Sequence, residues 1–152
     1  MELNYYSKLV IKTIIMKQLL FSTKNTKSLD LGLLVLRVGF AMLMIPHGWA
    51  KFLKFEDLQT KFMDFMGLGP TISLGLVIFS ELICSVLLVF GLLTRWAAIP
   101  LVITAIVILS AHNWDVFGES ELGTAYLIGY VVILFLGPGK YSLDAILSKN
   151  KN

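Results

Sequence analysis

Between Leu31 and Leu136 the chain reads as four apolar runs separated by short polar connections. The runs are Leu31–Ala50 (LGLLVLRVGFAMLMIPHGWA), Ile72–Leu93, Trp96–Ala111 (WAAIPLVITAIVILSA) and Leu122–Leu136 (LGTAYLIGYVVILFL). A hydrocarbon core about 30 Å thick takes roughly 20 helical residues to cross. The first two runs meet that length, and the last two approach it with their flanks, as Thr94–Asn113 does. Lipid offers no hydrogen bonds, so each crossing must satisfy its own backbone, which a helix does. The predicted fold class is all-α, an integral membrane four-helix transmembrane bundle.

The connections carry their own signals. In KFLKFEDLQTKFMDFMGLGP, between runs one and two, Phe55, Leu58, Phe62, Phe65 and Met66 recur at helical spacing with charges opposite. That pattern predicts a short interfacial helix at the outer surface, ended by Gly67, Gly69 and Pro70. Gly137, Pro138 and Gly139 stop the fourth helix. After them, Ser142–Asp144 reads as the start of a short C-terminal helix, with Ser142 a cap rather than a nucleophile. Pro46 and Pro100 each remove a helical hydrogen bond and are candidate kinks.

Charge placement gives the orientation. Lys8, Lys12, Lys17, Lys24 and Lys27 precede the first run, Arg95 lies in the second connection, and Lys140, Lys149 and Lys151 follow the fourth run. In the first connection Lys51, Lys54 and Lys61 are offset by Glu56, Asp57 and Asp64, and the third, His112 to Glu121, has neither Lys nor Arg. The positive-inside rule then places both termini in the cytoplasm and turns connections one and three outward. Residues 1–27 read as a basic tail, too interrupted by lysine to span and without a small-residue cleavage site. It is either an interfacial helix or, since Met16 begins a natural-looking start, an extension over residues 1–15. Residues 28–152 form one membrane domain.

The chain has 152 residues, 57% hydrophobic and only 15% charged, with a mean hydropathy of +0.79. Soluble domains average about 25% charged residues. A formal charge of +3 gives no reason to expect nucleic acid. The single cysteine, Cys84, cannot form an internal disulfide and reads as a small packing residue. No Walker loop, HExxH, CxxC or GxGxxG is present, and no metal site is expected.

Against this background the intramembrane polar residues stand out. Glu81 is the only charge between Ile72 and Arg95. A carboxyl at that depth costs about 2.5–3.5 kcal/mol on insertion scales, so it must be paired, protonated or used. Arg37, about two turns into the first run, is the expected partner: counting from the outer helix ends, Glu81 lies about 13 Å deep and Arg37 about 20 Å, a gap that an extended arginine covers. The pair would be either a helix glue or a reactive centre. His47 and His112 end the first and third runs at the same membrane level, each followed two residues later by a tryptophan, Trp49 and Trp114. They are either members of an interfacial aromatic belt or, with Lys51, the lining of an outer pocket open to a quinone or small reductant. A bis-histidine haem has no support beyond the two histidines.

The residues just described resemble the DoxX family of small bacterial membrane proteins. The resemblance is carried by LRVGFAMLMIPHGWAKF (Arg37, Gly39, His47, Gly48, Lys51), by Glu81 leading to FGLLTR (Gly91, Leu92, Thr94, Arg95), and by GPGKYSLD (Gly137, Pro138, Gly139, Ser142, Asp144), over about Leu31 to Leu147. Where members often have glycine shortly after the glutamate, this chain has Cys84 and Ser85. The resemblance implies a four-helix membrane subunit, in some members part of a quinone-linked or stress-related redox system. Glu81 and Arg37 would then be the catalytic pair, quinone the candidate cofactor with none certain, and a soluble or membrane oxidoreductase, or a second copy of the chain, the candidate partner. The competing expectations are a non-catalytic scaffold or assembly factor and a small-molecule transporter, the latter weakened by the lack of an inverted repeat.

Overall fold

A computed structural model describes residues 11, 26–118 and 120–149. Apart from residues 11, 26 and 27, the readings of a basic tail over residues 1–27 and of an extension over 1–15 lie outside the described residues. All regular structure among the described residues is helical: α1 (Thr26–Leu53), α2 (Phe55–Leu58), α3 (Pro70–Phe90), α4 (Thr94–Ala111), α5 (Glu121–Leu136) and α6 (Leu143–Lys149). α1, α3 and α4 are long and apolar enough to cross a membrane. α5, with 16 residues, rises only about 24 Å and is the shortest of the four main helices. Connections α1–α3 and α4–α5 meet at one end of the bundle, the loop end; α3–α4, the start of α1 and α6 lie at the other, the terminal end.

The core runs down the bundle axis through Ala41, Met44, Leu88, Ala98, Leu101, Tyr130 and Ile133. Small residues let the helices approach without a hydrophobic force to drive them together, as membrane interiors require. α4 and α5 pack most extensively. Gly129 of α5 meets the Phe40 ring of α1: a Cβ there would lie 2.7 Å from it. At Gly48, α1 touches the backbone of α3, where a Cβ would sit 2.8 Å from Leu82 N and 2.9 Å from Glu81 C.

Helix ends follow local chemistry. α3 stops at Gly91 (φ +66), with Leu92 N–H bonded to Leu87 O (3.0 Å) and Gly91 N–H to Leu88 O (3.1 Å), a Schellman closure. α4 ends the same way, with Asn113 (φ +53) in the left-handed position. α4 begins without a cap of its own. The carboxylate of Asp144, from α6, accepts from Leu93 N (2.8 Å) and Thr94 N (2.9 Å) instead. Ser142 caps α6 by accepting from Ala145 N (3.1 Å), as the sequence suggested.

Two expectations change. The connecting helix ends after one turn, at Leu58, rather than running through Met66. Beyond it backbone donors go to side chains: Phe65 N–H to Ser73 Oγ (2.9 Å) and Gly69 N–H to Asp64 Oδ1 (2.8 Å). Phe62 and Phe65 turn in against α3 and α4, while Met66 stays exposed. Second, α3 is not uniformly α-helical. It is π-helical over Phe79–Cys84, between α-helical Pro70–Ile78 and Ser85–Phe90. Such turns appear frequently at functional sites, and this one carries Glu81.

Two variants test these joints. Gly48→Val should force α1 and α3 apart and destabilise the protein by about 1–3 kcal/mol, the usual penalty of overpacking, read as a lower midpoint of thermal unfolding in detergent. Asp144→Ala should cost about 0.5–2 kcal/mol as α4 loses its cap, with faster hydrogen exchange confined to the first turn of α4.

Candidate functional site

Glu81 does not meet Arg37. The close approach at Gly48 sets Glu81 opposite that residue, 11 positions or about 16 Å along α1 from Arg37. Counting from the helix ends missed this register. Lys51, almost one turn beyond Gly48 on the same face, lies with Nζ 2.6 Å from Glu81 Oε2. Glu81 is 1% exposed and the Lys51 side chain 28%, so the pair reaches from the bundle interior toward its loop end. Removing one partner of such a buried pair strands the other charge, which is why these pairs are costly to break whatever their net contribution.

The pair forms one wall of a cavity of about 200 Å³. Met44 and His47 of α1, Leu122, Gly123 and Tyr126 of α5, Ile108 of α4 and Ser120 complete it. His47 is exposed at its mouth, and its ring stands edge-on to Tyr126 with centroids 6.3 Å apart. Tyr126 is 5% exposed, stacked on Tyr130 at 5.8 Å and 14°, and Phe40 lies edge-on to both. Ser120, 2% exposed, has a hydroxyl with no hydrogen-bond partner among the described residues. An orphaned buried hydroxyl on the wall of a cavity has its hydrogen-bonding capacity left for whatever enters. The arrangement offers a carboxylate, an ammonium and a hydroxyl around an aromatic wall, in a volume suited to a small hydrogen-bonding ring.

The remaining candidates lie elsewhere. His112 bonds its own helix, with Nδ1 2.8 Å from Ile108 O, and is exposed. Trp49 stacks on Phe52 at 5.6 Å and is half exposed; Trp114, exposed with φ +59, belongs to the turn after α4. None of the three lines the cavity. Arg37 serves the terminal end. Its Nη2 donates to Tyr141 O (2.7 Å), and its guanidinium lies against Gly91, where a Cβ would collide with it. Gly91 and Ser142, from the segments that resemble the family, thus pack around this arginine. Arg95 reaches Phe135 O (3.4 Å) beside Gly137, whose φ of +81 favours glycine, and Lys140 N–H bonds Asp30 Oδ1 (3.1 Å) after Pro138 and Gly139. No cluster of three or more metal-ligating side chains forms among the described residues.

The sequence reading missed Tyr126, Tyr130 and Ser120. The Gly123, Tyr126, Gly129, Tyr130 spacing was their signal: it puts two phenols and two glycines on the buried face of α5.

No solved structure matches the chain. The inner membrane protein YqjF of Escherichia coli (strain K12) is 32% identical over 127 residues, 79% of this chain and 95% of that protein. A membrane protein of Mycobacterium tuberculosis is 28% identical over 134 residues, 78% of this chain and 82% of its own. CatD of Bacillus subtilis (strain 168), provisionally named an oxidoreductase, is 29% identical over 127 residues, 82% of this chain and 93% of that protein. The DoxX family model matches residues 32–114, more than half of the chain and a span that includes His47, Lys51 and Glu81. The chain belongs to the DoxX family of membrane proteins.

Proposed function

We propose that the protein is a membrane component of a quinone-linked or stress-related redox system, with the cavity at Glu81 as the site for a quinone-type head group. The observation that carries this reading is the buried Lys51–Glu81 pair forming the wall of a cavity that also holds an unpartnered hydroxyl, Ser120. Because the two charges cancel, the cavity suits a neutral ring better than an ion. A quinone oxygen would accept from Lys51 or Ser120, and a quinol hydroxyl would donate to Glu81. Reduction of a quinone takes up protons as well as electrons, and Glu81 is the group placed to exchange them, with His47 at the mouth as the link to water. Electrons come from a partner oxidoreductase. Arg37 acts at a distance, holding the terminal end closed. The name given to the Bacillus relative agrees with the redox class, and that of the Escherichia relative with an inner-membrane location. The lysine-rich ends put both termini in the cytoplasm, so the cavity opens on the outer side.

The scaffold reading has one observation in its favour: at 2.6 Å the ion pair is closed on itself and joins α1 directly to α3. The two readings separate on purified protein. Protein extracted in mild detergent should release quinone into organic solvent, and Glu81→Gln should reduce that amount about tenfold or more, the weight of a charge-assisted hydrogen bond. A quinone-free wild-type sample, with an unchanged redox phenotype in a Glu81→Gln strain, would establish the scaffold instead. Lys51→Met, which leaves Glu81 buried without its cation, should cost about 3–5 kcal/mol of stability. Lys51→Met combined with Glu81→Leu should recover most of that loss in a thermal melt, while quinone stays absent.

A further inference from the structure

A second cavity lies on the other side of the π-helical turn. It holds about 270 Å³ between α3 and α4, beneath the first connection. Phe62 and Phe65 form its roof, Phe79 and Ile103 its flanks, and the paired hydroxyls of Ser80 and Thr104 (2.9 Å) its one polar spot. The roof is fixed: Ser73 Oγ binds the Phe65 amide (2.9 Å), and Thr71 Oγ1 donates to Gln59 O (3.2 Å). Its mouth opens among Leu76, Phe79 and Ile103, each 47% exposed, on a surface that faces the bilayer. From Ser73 to Ser80 the slot follows α3 for about 10 Å along the helix axis.

We infer that this slot binds one acyl chain of a membrane phospholipid. Its lining has almost no polar surface, and the hydroxyls of Ser80 and Thr104 are already bonded to each other. A head group, a peptide or an ion therefore finds nothing to bind there. At this depth in a bilayer the molecules at hand are lipid chains. An apolar space left empty forfeits the dispersion contacts of its whole lining, and apolar cavities of this kind take up hydrocarbon. The slot runs from the level of the connection toward the bundle's middle, the course of a chain whose head group stays at the surface. The consequence lies in the shared wall. Phe79 and Ser80 face the chain, while Glu81, the next residue of the same π-helical turn, faces the polar cavity. A seated chain holds that turn in register and with it the Glu81 carboxylate. This assignment stands whether or not the polar cavity takes a quinone.

The test is photolabelling. The full chain is reconstituted into vesicles of phosphatidylethanolamine and phosphatidylglycerol doped with a phospholipid carrying a diazirine midway along one acyl chain, irradiated, and mapped by peptide mass spectrometry. Label at Phe62, Phe65, Phe79 and Ile103 should exceed several-fold that at Val35 and Leu43, which are exposed on α1. Ile103→Trp, or Val77→Phe from the facing helix, should fill the slot and bring the label down to the α1 level. Hydrogen exchange at amides 79–84 should quicken when the wild-type protein is delipidated, and slow again on adding phospholipid. Thr104→Val, which keeps the volume, should keep the label. Uniform labelling over all lipid-facing residues would overturn the inference. So would label that persists in a filled variant eluting as the wild type does, or displacement by a prenyl alcohol but not by excess unlabelled phospholipid.

Discussion

A carboxyl placed in hydrocarbon must be paired, protonated or used, and most of this molecule's polar architecture follows from the pairing it makes. Glu81 finds Lys51 because Gly48 lets α1 and α3 close to backbone contact one turn away. A side chain at position 48 would hold the two helices apart and leave a buried charge without its counterpart. The π-helical turn is part of the same solution, since Ser80 and Glu81, successive residues of it, serve different neighbours of α3. Ser80 bonds Thr104 on one side while Glu81 meets Lys51 on the other. One turn therefore ties α3 to both α1 and α4.

The two ends of the bundle divide the remaining work. At the loop end polar groups surround open space, with an exposed histidine and a hydroxyl that has no partner among the described residues. At the terminal end polar groups are spent on closing the structure: Arg37 on the Tyr141 carbonyl, Asp144 on the start of α4, Arg95 on the end of α5 and Asp30 on the Lys140 amide. The GPGKYSLD segment takes part in three of these four contacts, so its residues are accounted for by architecture. The other end joins a cavity of about 200 Å³ to the buried Lys51–Glu81 pair.

What could be read from the sequence is what depends on local chemistry. The apolar runs declare the helices because lipid tolerates little else, and Ser142 declares itself a cap because its partner is three residues away. Pairings across the bundle could not be read in the same way. The Arg37–Glu81 expectation assumed that two antiparallel helices begin level with one another; their register is set by a glycine contact that residue counting does not contain. His112 shares a membrane level with His47, but level fixes only one coordinate, and the rotation of α4 turns its ring onto its own helix. The connection after α2 had helical spacing, yet Ser73 and Asp64 took the backbone donors that a longer helix would have needed. The slot beneath it was invisible for the same reason, since its roof exists only once that segment folds back.

The cap on α4 also orders events in time. The carboxylate that satisfies the first amides of this helix is synthesised about 50 residues after them, or roughly 3–10 s later at ordinary rates of translation. Until then the α3–α4 corner has open amides at the membrane surface, and Arg37 lacks the Tyr141 carbonyl that receives it. Insertion of the helices and locking of the bundle are thus separate stages, the second waiting for α6 to emerge. During that interval the nascent chain presents an unfinished edge on which a membrane chaperone or a neighbouring subunit could act.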